Sequence, residues 1–102
     1  MELKKPAMAG TMESSDVTVS VFPATGCGIR IEIESPVREL FGDAIERTVR
    51  AALAELGVAD AFVKVADRGA LDCAIRARTL CALCRAAGRG YDWGKGDQLH
   101  AD

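Results

Sequence analysis

A two-layer α+β sandwich is what this sequence predicts, in the order strand, strand, helix, strand, helix. Its sheet is expected to be three-stranded and mainly antiparallel, with both helices on one face. Three observations lead there. Residues 17–22 and 28–34 alternate apolar and polar side chains at the two-residue period of half-buried strands. Residues 36–56 and 70–87 carry apolar side chains at helical spacing. Residues 61–66 form a further short alternating run between those helices.

Residues 1–16 show no sustained period and contain Pro6, Gly10, Ser14 and Ser15, so they read as a flexible, irregular N-terminal arm. In the first strand Val17, Val19 and Val21 share a face, with Thr18 and Ser20 opposite. In the second, Ile29, Ile31 and Ile33 point inward and Arg30, Glu32 and Glu34 outward. The Gly/Pro-rich link at 23–28 between them predicts an antiparallel hairpin. Ser35 and Pro36 predict a capped helix start, and Val37, Leu40, Phe41, Ala44, Ile45, Val49, Ala52, Leu53 and Leu56 its core stripe. Gly57 ends that helix. Val63 and Val65 face inward from the third strand, and Asp67 is placed to cap the second helix. That helix takes its stripe from Leu71, Ile75, Ala82, Leu83 and Ala86 and stops at Gly88. The folded body therefore spans 17–90, and residues 91–102 form a polar tail with Tyr91, Trp93 and Leu99 as its anchors.

Composition excludes several functions. With 102 residues the chain is one domain, too small for a core plus a deep enzyme pocket. Thirteen Lys and Arg against fifteen Asp and Glu give a net charge of -2. A nucleic-acid module carries a basic excess instead. No apolar run approaches the roughly 20 residues that span a bilayer, and no signal peptide opens the chain. The expected location is the cytoplasm. Seventeen alanines against five aromatic residues predict slim, closely packed helices and little large side-chain material to line a cavity.

The candidate chemistry is sparse. Cys81-x-x-Cys84 lies near the C-terminal end of the second helix, the wrong end of the dipole for a redox thiol. No second pair completes a zinc site with it. Cys27, Cys73, Cys81 and Cys84 read as free thiols, and a small thiol- or metal-binding module is the alternative of a different class. His100 sits in the polar tail without neighbours to position it as a base. Neither a catalytic nor a metal-ligating residue is assigned. Arg76, Arg78, Arg85 and Arg89 form either a stripe for an acidic partner or phosphate, or a solvated helix face. Ser14, on an exposed turn in GTMESSD, suits covalent modification, and the residues alone fit a plain turn serine as well.

Three motifs in order carry a resemblance. Residues 9–16 (AGTMESSD) are similar to the A-G-T-x-E-S-x-D signature of the citrate lyase acyl carrier protein family, the γ subunit of that complex. Residues 41–45 (FGDAI) and the stretch DRGALDC followed by IRAR at 75–78 resemble the same family. The resemblance covers about residues 6–87 and implies a carrier, not an enzyme. It implies that Ser14 bears 2'-(5''-phosphoribosyl)-3'-dephospho-CoA through a phosphodiester, attached by a dedicated holo-synthase transferase. Ser15 stands where the signature varies. The arm's thiol would hold acetyl and citryl thioesters, exchanged by an α subunit (acyl transferase) and cleaved by a β subunit (citryl lyase) to oxaloacetate. No nucleic acid or membrane is implied as partner. On this reading Lys4 and Lys5 neutralise the arm's phosphates, and Arg76 and Arg78 meet a partner or those phosphates. The carrier subunit of malonate decarboxylase, with the same prosthetic group, is the nearer alternative.

Overall fold

The computed structural model describes residues 1–90. The expected tail, with Tyr91, Trp93, Leu99 and His100, lies outside the described residues. The elements run β1 (Ala7–Gly10), β2 (Val17–Pro23), β3 (Ile29–Glu34), α1 (Arg38–Glu55), β4 (Ala61–Asp67) and α2 (Asp72–Ala87). The α+β sandwich is as expected, with α2 laid across β1 and β2 and α1 packed on β3 and against α2. Among the described residues no helix is long and apolar enough to cross a membrane.

The sheet has four strands, in the order β1-β2-β4-β3. The added strand lies inside the segment expected to be an irregular arm. β1 pairs antiparallel with β2, so that Ala9 faces Val19 and Gly10 faces Thr18. The residues before it are held as well. The Met1 ammonium donates to the Gly57 carbonyl at 2.8 Å, Leu3 is buried, and the Lys4 and Lys5 N–H groups bond the Ala86 carbonyl. AMAG carries no large apolar residue and is too short to show a period, so the edge strand is silent in the sequence.

The expected hairpin of β2 with β3 does not form. β4 lies between them, antiparallel to β2 with Val19 opposite Val65 and parallel to β3 with Ile31 opposite Val63. The parallel pairing requires a crossover, and α1 provides it. Burial shows why the order comes out this way. Val17, Val19, Val21 and Val63 are fully buried, whereas the inward residues of β3 are only half-buried. The most apolar strands take the centre and the more polar IRIEIE takes an edge.

Val17, Val19, Val21, Val49, Leu53, Val63, Val65, Ile75 and Leu83 meet in one core cluster. Each buried side chain of this size contributes about 1.5–3 kcal/mol. Both helices begin later than expected. Their N-cap residues are Val37 and Leu71, and neither makes a side-chain cap bond. Ser35 and Asp67 act just upstream instead. Ser35 Oγ accepts from the Val37 N–H and donates to Asp67 at 2.8 Å, and Asp67 also accepts from the Ala70 N–H at 2.9 Å. Leu40, Phe41 and Leu71, expected in the core, are exposed; Leu40 lies on the side of α1 opposite buried Ile45 and Val49, and Phe41 and Leu71 border an open groove. Thr18, expected on the solvated sheet face, is buried, with Met12 of the preceding loop against its hydroxyl.

Candidate functional site

The β1–β2 connection, residues 11–16, holds Ser14. Its base is narrow because Gly10, at φ 106°, brings the chain against the backbone of Val17. Its tip is a four-residue turn closed by the Asp16 N–H donating to the Glu13 carbonyl at 3.2 Å. Ser15 takes the second central place with φ 66°, the left-handed conformation that this place adopts in a type II turn. That leaves Ser14 at the outer corner of the turn, with its side chain exposed.

Asp16 fastens the loop. Its carboxylate accepts from the Thr11 hydroxyl, from the Val17 N–H at 2.7 Å, and from Arg78 of α2 at 3.1 and 3.3 Å. The Thr11 hydroxyl, the Val17 amide and the Arg78 guanidinium, in that order, hold the Asp16 carboxyl down at about 2, below its ordinary 3.8. The Thr11 carbonyl in turn accepts from the Thr18 hydroxyl at 2.8 Å. Two backbone bonds continue the β2–β4 pairing past its end. Arg68 N–H donates to the Asp16 carbonyl at 2.9 Å and Ser15 N–H to the Arg68 carbonyl at 2.8 Å. The segment expected to be a flexible arm thus ends in a hairpin loop bonded to β4 and α2, with Ser14 and Ser15 both exposed at its tip. A serine so placed is accessible to a modifying enzyme.

The structure gathers the motifs that the sequence holds apart. DRGALDC supplies Arg68 to the loop, and FGDAI lies across an open groove from Gly69, Ala70 and Leu71. The arginines divide. Arg78 is paired with Asp16, Arg76 with Glu55 at 2.9 Å, and Arg85 donates to the Met8 carbonyl at 2.8 Å. Arg76 and Arg78, expected to meet a partner or phosphates, each hold an ion pair within the chain, Arg78 with the loop that bears Ser14. Lys4 and Lys5 are bonded through their backbone at the far end of α2, about 12 Å along the helix axis from Arg78.

Cys84 is buried, Cys81 half-buried, and Cys27 and Cys73 exposed, all as free thiols. Burial pushes the Cys84 thiol up, with Cys81 adding to the effect. Among the described residues no group of three or more His, Cys, Asp and Glu side chains is placed to hold a metal ion. Sequence reasoning passed over Thr11, Asp16 and Gly10 as working residues. The signal was present, since Thr and Asp bracket the serines and a glycine precedes them.

Known proteins are similar to this chain over most of its length. The profile of the malonate decarboxylase delta subunit family matches residues 4–86. The citrate lyase acyl carrier protein of Klebsiella pneumoniae is 55% identical over 87 residues, 85% of this chain and 90% of that protein. Citrate lyase acyl carrier protein 2 of Salmonella typhimurium is 53% identical over the same 87-residue length, 85% of this chain and 90% of its own. The citrate lyase acyl carrier protein of Streptococcus equi subsp. equi is 44% identical over 102 residues, 99% of this chain and 100% of its own. By these matches the chain belongs to the citrate lyase acyl carrier protein family.

Proposed function

We propose that this chain carries acyl groups within a citrate lyase complex on a phosphoribosyl-dephospho-CoA arm joined to Ser14. Membership of the family makes it a carrier subunit and not a catalytic one. The observation that carries the proposal is the exposed Ser14 at the corner of a turn fastened through Asp16 to Thr11 and Arg78. The donor set fits a phosphodiester at this point. The Ser14 side chain is exposed, and the adjacent carboxylate of Asp16 is already paired with a cation.

When attached, the arm supplies a thiol that holds acyl units as thioesters. The protein's part is position. Pinning the loop fixes the tether's origin, and tethering keeps the acyl group at a high effective concentration beside each active site without release. The partners on this reading are the α subunit that exchanges the acyl group, the β subunit that cleaves the citryl form, and the transferase that installs the arm, all in the cytoplasm.

Intact mass and peptide mapping of protein co-expressed with its modifying enzymes test the proposal. The expected result is a gain of one phosphoribosyl-dephospho-CoA unit on the peptide holding Ser14, lost in Ser14→Ala. An unmodified chain beside active modifying enzymes refutes it. The profile match to the malonate decarboxylase delta subunit family supports one second reading, the same arm serving malonate decarboxylation. Turnover of citrate against malonate by the reassembled complex separates the two.

A further inference from the structure

Ser14 and Ser15 are adjacent, exposed and chemically alike, yet the backbone treats them differently. β2 pairs with β4 as far as Val17 opposite Asp67. Beyond that point Ser15 and Asp16 together oppose a single residue, Arg68. The Ser15 N–H donates to the Arg68 carbonyl at 2.8 Å, and the Arg68 N–H donates to the Asp16 carbonyl at 2.9 Å. This is a β-bulge whose first residue is left-handed, a place that glycine ordinarily fills. Ser15 fills it at φ 66°, where its Cβ is disfavoured. Ser14, by contrast, makes no hydrogen bond among the described residues. A strained residue persists only where its surroundings over-determine it. Here the next residue supplies the hold. The Asp16 carboxylate accepts from the Thr11 hydroxyl, the Val17 N–H and both arms of the Arg78 fork, at 3.3 Å to one oxygen and 3.1 Å to the other. Thr11 and Val17 belong to the loop and its flanking strand. Of the three donors, Arg78 alone ties the bulge to another element, α2.

We propose that Arg78 is a positioning residue for the attachment reaction: by gripping Asp16 it keeps Ser15 in the bulge, and so leaves Ser14 as the corner that the transferase engages. The proposal rests on Ser14 as the attachment point. Attachment forms a bond from Ser14 Oγ to phosphorus. It breaks the phosphoanhydride bond of an activated donor, whose terminal phosphate chain departs while the serine proton passes to solvent. Arg78 acts through Asp16 and not on these atoms. Without its grip Ser15 relaxes toward negative φ, the bulge opens, and the competent loop becomes a fraction of the population. The chain's affinity for the transferase then falls by that fraction. The loss therefore appears as a raised KM with kcat retained. Glycine is at home in the left-handed place, so Ser15→Gly re-forms the bulge without the grip.

The test follows attachment by intact mass, using the unmodified chain, the transferase and the phosphoanhydride form of phosphoribosyl-dephospho-CoA as donor. KM and kcat for the chain are compared in the parent, in Arg78→Ala, and in Arg78→Ala combined with Ser15→Gly or with Ser15→Ala. Arg76→Ala is the control, since Arg76 lies on the same helix and holds its own ion pair, with Glu55, at similar side-chain exposure, 48% against 41% for Arg78. Thermal unfolding verifies that each variant is folded at the assay temperature. Arg78→Lys, which keeps the charge without the fork, replaces Arg78→Ala if that chain unfolds, with a smaller rise expected. The expected result is a KM raised at least about tenfold in Arg78→Ala with kcat retained, recovery on adding Ser15→Gly, none on adding Ser15→Ala, and no change in Arg76→Ala. An unchanged KM overturns the proposal. So does an equal rise in Arg76→Ala, which makes the effect one of helix stability. So does a rise that Ser15→Gly does not relieve, which makes Arg78 a direct contact of the transferase. So does a fall in kcat at unchanged KM. Failure of the Ser14 reading shows separately, as a parent chain that gains no mass or gains it at another residue.

Discussion

Replacing Gly10 with alanine sets a Cβ on top of the Val17 carbonyl oxygen, 2.8 Å from the Val17 carbonyl carbon and 3.1 Å from the Thr18 Cα. All three atoms are backbone, so no rotamer change relieves the clash. The φ of 106° is itself unfavourable for a residue with a side chain, at about 1–3 kcal/mol. Forcing the strands apart adds about 1–3 kcal/mol, as overpacking does. Together they predict a loss of about 4 kcal/mol. For a domain of this size that lowers Tm by roughly 16–32 °C. The assay is thermal unfolding followed by circular dichroism, with Gly26→Ala for comparison. Gly26 has a positive φ of 71° but nothing within 4 Å of its added Cβ, so only the conformational cost of about 1–2 kcal/mol applies. A Gly10→Ala protein that melts within about 5 °C of the parent, or no lower than Gly26→Ala, refutes the argument that this glycine closes the base of the Ser14 loop.

Two further variants probe the same loop. The Asp16 carboxyl is held at about 2 in the folded chain against an ordinary 3.8. Its contribution to stability is therefore complete above the unfolded value and lost as pH falls from about 4 toward 2. Denaturant unfolding of the parent and Asp16→Asn across pH 2–7 should show a stability gap that is constant at the neutral end and shrinks below about pH 4; a gap independent of pH would contradict the assigned bonds. Ser15→Gly relieves a left-handed residue and should raise stability by about 0.5–1 kcal/mol after the entropy of the added glycine is subtracted. Peptide mapping of the same variant should show full loading, since Ser14 remains; loss of loading would move the attachment to Ser15.

Much of this molecule is written in short-range pattern. The alternation of Val17, Val19 and Val21, of Ile29, Ile31 and Ile33, and of Val63 and Val65 identifies the strands and their inward faces. Ile45, Val49, Ala52 and Leu53 do the same for α1. AGTMESSD points to Ser14 without any coordinates. The strand order was not legible, because a period of two says which side chains face inward but not which strand lies beside them. A five-residue link between β2 and β3 suits a hairpin, and only the packing of α1 and β4 shows that the chain crosses over instead. β1 was hidden because four small residues at an edge leave no period.

By itself the sequence determined the α+β class, the two helices and the inward faces of three strands, and it raised Ser14 as the candidate attachment residue. These depend on local periodicity and on a contiguous motif. The tertiary structure alone decided that β4 separates β2 from β3, and that Asp16 meets Arg78 from 62 residues away to pin the serine's loop. It also decided that Phe41 and Leu71, apolar residues on helical spacing, stand outside the core. The physical reason is common to all three. Periodicity reports a preference for burial, whereas burial itself is allotted by which distant segments arrive to cover a side chain, and at the Ser14 end none of the described residues does.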